Sequence, residues 1–153
     1  MALGVEVRVT EARPAAVINY KTTQEELGQS IGAKMGAIAG YIQQHGGRFA
    51  GPPFVVYNDV SGAEWAITVG FPVFGPVVAE GEIVPGEQPG GRVATTMHVG
   101  PYERLGETWT ALEGWLRAQA LHTGATCWEV YETDPDAEPD PSKWKTQLFW
   151  SLE

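Results

Sequence analysis

The sequence predicts an α+β domain made of two similar strand–helix–strand–strand halves, related by a pseudo-two-fold. Its sheet is expected to be antiparallel, with both helices on one face and a ligand cleft between the halves. Three observations carry this expectation. Two stretches have the apolar spacing of amphipathic helices. Each is followed by two strand-like runs. The two sets superpose at a fixed offset of 74 residues.

The elements follow in order. Val5 to Thr10 alternates, with Val5, Val7 and Val9 on one side, and reads as a half-buried strand. Arg13-Pro14 interrupts it, and Ala15 to Tyr20 is extended again. Thr23 is a candidate N-cap, with Glu26 completing a capping box. The helix then runs to about Gln44, its stripe formed by Leu27, Ile31, Met35, Ile38 and Ile42. His45-Gly46-Gly47 ends it. Phe54 to Tyr57 is a short strand, and Glu64 to Pro72 is its hairpin partner, with Trp65, Ile67, Val69 and Phe71 on one side. The Gly- and Pro-rich run from Pro72 to Gly91 connects the halves, and Val77 to Ile83 is expected to add a strand.

The second half repeats the pattern. Gly91 to Val99 is a strand, and Gly100-Pro101 turns into a helix from about Glu103 to Ala120. Its stripe is Leu105, Trp109, Leu112, Trp115 and Leu116. Cys127 to Glu132 and Trp144 to Leu152 are strands, separated by an acidic, proline-rich loop. At the offset, Met35, Ile38, Tyr41 and Ile42 fall on Trp109, Leu112, Trp115 and Leu116. Phe54, Val56 and Tyr57 fall on Trp128, Val130 and Tyr131. The 153 residues therefore read as one domain, with halves at about 1–74 and 75–153.

Charge narrows the function classes. Ten Lys and Arg stand against 19 Asp and Glu, a net charge of −9. No basic stripe is visible, so direct nucleic-acid binding is not expected. The acidic balance favours a cationic ligand. A signal peptide would need a basic start and an apolar block, which the N-terminus lacks. No run approaches the roughly 18 apolar residues of a membrane span. The expectation is a cytoplasmic chain with no membrane partner. Exposed strand edges in the connection would permit a homodimer.

Chemistry is sparse elsewhere. His45, His98 and His122 make no metal-ligand spacing, and the single Cys127 reads as a small buried hydrophobe. Ser30, Ser61 and Ser142 lack a nucleophile-elbow context. There is no phosphate loop, so neither a metal nor a cofactor is expected.

Glu129 stands out as a carboxylate within a largely apolar strand. Alternation puts Glu129 and Tyr131 on one face and Trp128 and Val130 on the other. Trp128 and Val130 are expected beneath the helix, and Glu129 and Tyr131 away from it. Burying a charge needs a partner, either a basic residue of the chain or a cationic ligand. Aromatic faces also attract cations. Tyr57, the equivalent of Tyr131, lies on the corresponding face, and Trp65, Trp144 and Trp150 on the adjacent strands are candidate walls. His98 and Tyr102 flank the strand-to-helix turn, and Tyr102 is not explained by that turn.

His98-Val99-Gly100-Pro101-Tyr102, then Ala111-Leu112-Glu113-Gly114-Trp115-Leu116, then Glu129-Val130-Tyr131 with Asp134-Pro135, resembles the gyrase-inhibitor-like small-molecule-binding family. Gly51-Pro52-Pro53-Phe54-Val55-Val56-Tyr57 is similar to its first-half motif. That family includes effector-binding domains of AraC-type and MerR-type transcription regulators. The resemblance implies a cleft for lipophilic, often cationic, compounds, with a glutamate deep inside it at the position of Glu129. It also implies two alternatives. One is a hydrolase of strained, cyclopropane-bearing electrophiles using Glu129 with Tyr131, Tyr102 and Trp65. The other is a protein inhibitor that docks on DNA gyrase. The sequence shows no helix-turn-helix, so a one-component transcription factor is not expected. Whether the chain is an enzyme stays open at this level.

Overall fold

The computed structural model describes residues 4–153. Nine strands and two α-helices follow in the order β1 (Val5–Thr10), β2 (Arg13–Thr23), α1 (Leu27–Gln44), β3 (Arg48–Phe49), β4 (Phe54–Asp59), β5 (Glu64–Phe74), β6 (Val84–Gln88), β7 (Gly91–Val99), α2 (Leu105–Ala118), β8 (Thr123–Tyr131) and β9 (Lys145–Leu152). Two compact units emerge. One is Glu11–Gly90, and the other joins β1 to the segment Gly91–Glu153.

Each unit contains strand–helix–strand–strand: β2-α1-β4-β5 in one, β7-α2-β8-β9 in the other. In the first, β2 lies between β5 and β6, β4 pairs with β5, and β3 caps the end of β5, all antiparallel. In the second, the order is β1-β7-β9-β8, again antiparallel throughout. The α+β class and the duplicated unit are as the sequence predicts.

The helix stripes meet their sheets as expected. Leu112 and Leu116 are buried with Ala94 of β7 and Leu148 of β9, and Leu105, Trp109 and Trp115 pack around them. Ile38 and Ile42, the offset equivalents of Leu112 and Leu116, are buried in the other unit. Burying a Leu or Ile side chain contributes about 1.5–3 kcal/mol, so these four positions alone anchor both helices.

Three expectations need correction. Val77 to Ile83 forms no named strand and carries only an isolated bridge between Glu80 and Ile83. The strand is β6, displaced onto Val84–Gln88, where Pro85 sits on an outer strand that tolerates a missing donor. The capping box falls one turn early. Thr23 Oγ1 accepts from Glu26 N–H at 3.3 Å, but in a turn that precedes the helix, whose first residue is Leu27. Finally, β1 is not half-buried. Val7 and Val9 are 42% and 76% exposed, because β1 is the end strand of its unit and only Val5 reaches the α2 core.

Gly70 is fixed by close approach, including to backbone. A Cβ on Gly70 of β5 would stand 2.7 Å from Val17 Cγ1, 2.8 Å from Phe54 Cζ and 2.9 Å from the Ala16 carbonyl. Gly36 on α1 is exposed, with nothing within 4 Å of a built Cβ. Gly70→Ala is therefore expected to destabilise by about 1–3 kcal/mol. Gly36→Ala should stabilise by about 0.5–1 kcal/mol. Urea unfolding midpoints of the two variants, shifted in opposite directions from the parent, check this.

Candidate functional site

Strand β8 buries three consecutive side chains. Trp128, Glu129 and Val130 are 1%, 2% and 4% exposed. A strand buried on both faces does not reveal by alternation which face the helix covers. The structure decides it: the indole Nε1–H of Trp109, on α2, donates to Glu129 Oε1 at 2.7 Å. Glu129 and Tyr131 thus lie on the helix-covered face, opposite to the expectation. Trp128 lies on the other face, stacked on Phe149 with ring centroids 5.0 Å apart.

The carboxylate is held from two sides. Its second oxygen, Oε2, accepts from the Tyr131 hydroxyl at 2.5 Å. Hydrogen bonds to an ionised acceptor are roughly twice as strong as neutral ones. Two donors on different oxygens fix the plane of the carboxyl group as well as its position.

Aromatic rings extend from this centre. Tyr131 meets Tyr102 edge-on at 5.5 Å, and Tyr102 in turn packs against Trp144 at 4.9 Å. On the other side Trp109 meets Trp150 edge-on at 5.9 Å. Trp150 is paired across the strands with Cys127, and Leu148 with Glu129. All five aromatic residues are partly exposed while the carboxylate among them is buried. Burial, with the negative charges of Asp134 and Glu129, raises the Tyr102 hydroxyl above its usual range, so it remains a neutral donor.

The turn before α2 sets Tyr102. Gly100 has φ +135°, a value open to glycine, and its N–H donates to the Trp144 carbonyl at 2.8 Å. That bond ties the start of the helix segment to Trp144, the residue just before β9. Trp144 is itself pinned by its Nε1–H, which donates to the Glu138 carbonyl at 2.7 Å. His98 is placed for this turn rather than for the carboxylate. Its Nδ1 lies 2.6 Å from Thr108 Oγ1 and its Nε2 3.1 Å from the Pro101 carbonyl. With the proton on Nε2, the ring donates to Pro101 and accepts from Thr108.

Of the residues singled out in the sequence, the structure gathers Glu129, Tyr131, Tyr102, Trp144 and Trp150 in one unit. Tyr57 and Trp65 pair edge-on at 6.0 Å in the other unit. The helical period places Trp109 in the core stripe and does not reveal it as a donor to Glu129. The available signal was its N–H, since a buried or half-buried indole normally finds an acceptor. Among the described residues, no group of three or more His, Cys, Asp and Glu could hold a metal ion. Among the same residues, no helix is long and apolar enough to cross a membrane.

The family described as GyrI-like small molecule binding domain matches residues 4–153. The chain belongs to that family. It is therefore a GyrI-like small-molecule-binding domain, as the sequence motifs implied. Among solved structures it is similar to the EcmrR C-terminal domain, with a TM-score of 0.83 and 17% identity over 100% of this chain and 99% of that one. Against EcmrR in its complex with DNA the TM-score is 0.86 at 15% identity, covering 98% of this chain. The chain spans only 57% of that EcmrR chain. A hydrolase from Listeria innocua is similar with a TM-score of 0.66 and 16% identity, over 97% of this chain and 91% of that one. The structure of SAV2435 bound to tetraphenylphosphonium has a TM-score of 0.67 at 7% identity, over 99% of this chain and 94% of that one. No curated protein matches the chain.

Cys127 can be tested directly. Burial, with the nearby Glu129 charge, pushes its thiol up to about 12. Below that value the side chain is a thiol, not a nucleophilic thiolate. Alkylation by iodoacetamide at pH 8 is expected to be roughly a thousandfold slower in the folded protein than in the urea-unfolded chain. Mass spectrometry of timed samples measures it. Equal rates in both states would show that the Cys127 environment is not as described.

Proposed function

We propose that the Glu129 centre is a receptor for a lipophilic cation, with Glu129 as counter-charge and the surrounding rings as walls. The observation that carries this reading is a 2% exposed carboxylate held by Trp109 and Tyr131 within a set of partly exposed aromatic rings. An apolar enclosure strengthens attraction between a carboxylate and a cation, because water no longer screens it. Ring faces add about 0.5–2 kcal/mol each to a cation placed over them. A hydrophobic cation offers both the charge and the apolar surface that such a centre suits. A neighbour of the same fold, SAV2435, has been solved with tetraphenylphosphonium. That supports the choice of this cation as probe.

The net charge of −9 acts in the same direction, by raising the local concentration of cations near the surface. The hydrolase from Listeria innocua shares the fold at 16% identity. In a hydrolytic version of this site, Glu129 would act as general base toward water. The two versions differ in what becomes of the ligand.

The test is tryptophan fluorescence quenching by tetraphenylphosphonium, followed by mass analysis of the recovered compound. Trp109, Trp144 and Trp150 supply the signal. Glu129→Gln keeps the shape and removes the charge. It is expected to weaken binding about 10- to 100-fold, within the range for losing one charged partner in a desolvated site. Glu113→Gln, on the exposed side of α2, should leave affinity unchanged. Equal affinity of parent and Glu129→Gln would overturn the receptor reading. An electrophilic ligand returned as its hydrolysed product by the parent, but intact by Glu129→Gln, would establish the enzyme instead.

A further inference from the structure

Strand β1 is the outer strand of its unit, and among the described residues it is paired only with β7. The pairing runs without a bulge from Val5↔Thr96 to Thr10↔Gly91. Its outward edge therefore presents a regular row of backbone donors and acceptors. Native proteins usually blunt such edges with proline, charged side chains (lysine above all), bulges or a covering element. Strand β6, outermost in the other unit, carries Pro85 and Gly86. The six residues of β1, Val-Glu-Val-Arg-Val-Thr, carry no proline, lysine or bulge, and their two charges, Glu6 and Arg8, are of opposite sign and can pair across an added strand. Three are β-branched valines, and two of them stand out into solvent, Val7 at 42% and Val9 at 76%.

We infer that β1 is a self-association edge, and that its occupant is the β1 strand of a second copy of this chain, added antiparallel about a two-fold axis through Val7. The sequence of the strand selects this register. With Val7 opposite Val7 of the second copy, Val5 faces Val9, and Glu6 faces Arg8. Every apolar side chain then meets an apolar one, and every charge meets its opposite. A slip by two residues in either direction places Glu6 against Glu6 or Arg8 against Arg8. A slip by one puts valines against charges, since the side-chain period is two. Cross-strand pairs of opposite charge stabilise an antiparallel ladder and like pairs destabilise it.

The charged side chains are already arranged for this. Glu6 and Arg8 lie on one face, with Arg8 NH1 3.6 Å from Glu6 Oε2, and both remain well exposed. Joined across the two-fold, the two copies form an alternating row of four charges. The contact is isologous, so it closes as a dimer and does not propagate. Two six-residue strands bury less than the roughly 1,600 Å² of a standard interface, so the dimer is reversible and depends on concentration.

Sedimentation velocity over a concentration series tests the inference on the whole chain. The parent is expected to shift from monomer toward dimer as concentration rises. Arg8→Glu places like charges at both cross-strand positions and should weaken association at least about tenfold. The double variant Glu6→Arg/Arg8→Glu exchanges the charges and restores the pairing, so its association should return to within about threefold of the parent. Far-UV circular dichroism confirms that the exposed substitutions leave the fold intact. A parent that stays monomeric at every concentration overturns the inference. So does a dimer indifferent to Arg8→Glu, or one that the charge exchange fails to restore.

Discussion

The hydrogen bond from Trp109 to Glu129 is the constraint on which the rest of this unit depends. A carboxylate at 2% exposure costs several kcal/mol unless its oxygens are satisfied. Trp109 satisfies one of them from a position that is also part of the α2 core stripe. One side chain therefore does two things. Its ring packs with Leu112, Leu116 and Leu148, and its N–H fixes the rotation of the helix above β8. A helix turned by one residue, about 100°, would lose the bond and the packing together. Tyr131, two residues along the strand, supplies the second donor from below. The helix register, the strand register and the carboxylate orientation are thus one coupled arrangement.

The internal duplication separates what this arrangement does for the fold from what it does beyond the fold. At the offset of 74 residues, Glu129 corresponds to Val55 and Trp109 to Met35. Val55 is 0% exposed, as deeply buried as Glu129. The same position in the same kind of unit is thus filled by an aliphatic side chain without loss of the architecture. The pair Glu129 and Trp109 replaces an apolar pair, and both members change together. Buried ion pairs and polar networks are poor stabilisers compared with apolar packing of similar volume. The carboxylate is therefore not explained by the needs of the scaffold, which is what the proposed role as counter-charge to a ligand requires.

Much of this was legible in the sequence, for definite reasons. Helix α2 was readable because Leu105, Trp109, Leu112, Trp115 and Leu116 keep a helical period and pack into one cluster. Tyr102 stood out because the Gly100-Pro101 turn leaves it unexplained, and it packs between Tyr131 and Trp144. The face assignment of Glu129 was not readable. Alternation distinguishes faces only when one face is wet, and β8 is dry at three successive residues. From the sequence Trp128 is expected beneath the helix, but the helix brings its own tryptophan, Trp109, to Glu129. The position of β6 was hidden for a different reason. Pro85 and Gly86 read as strand breakers, and only an outer strand can absorb them. The exposure of β1 was hidden because its alternation is real while the cover that alternation implies is absent.

The tryptophans show how the chain divides its aromatic residues between core and surface. Trp128 is core: it is 1% exposed, stacked on Phe149, and its Nε1 has no hydrogen-bond partner among the described residues. Trp109 and Trp144 are different. Each ring is partly exposed, and each N–H is engaged, one with Glu129 and the other with the Glu138 carbonyl, both at 2.7 Å. An indole anchored at its nitrogen keeps its face in one orientation. Its conformational freedom has been lost on folding and is not lost again when something packs against it. Immobilising a rotamer-rich side chain at binding costs about 0.5–1.5 kcal/mol, and rings already fixed avoid most of that. Tyr131 is fixed in the same way through its hydroxyl. The polar atoms of this centre thus hold its apolar faces still, and the buried carboxylate is the hub to which two of those faces are tied.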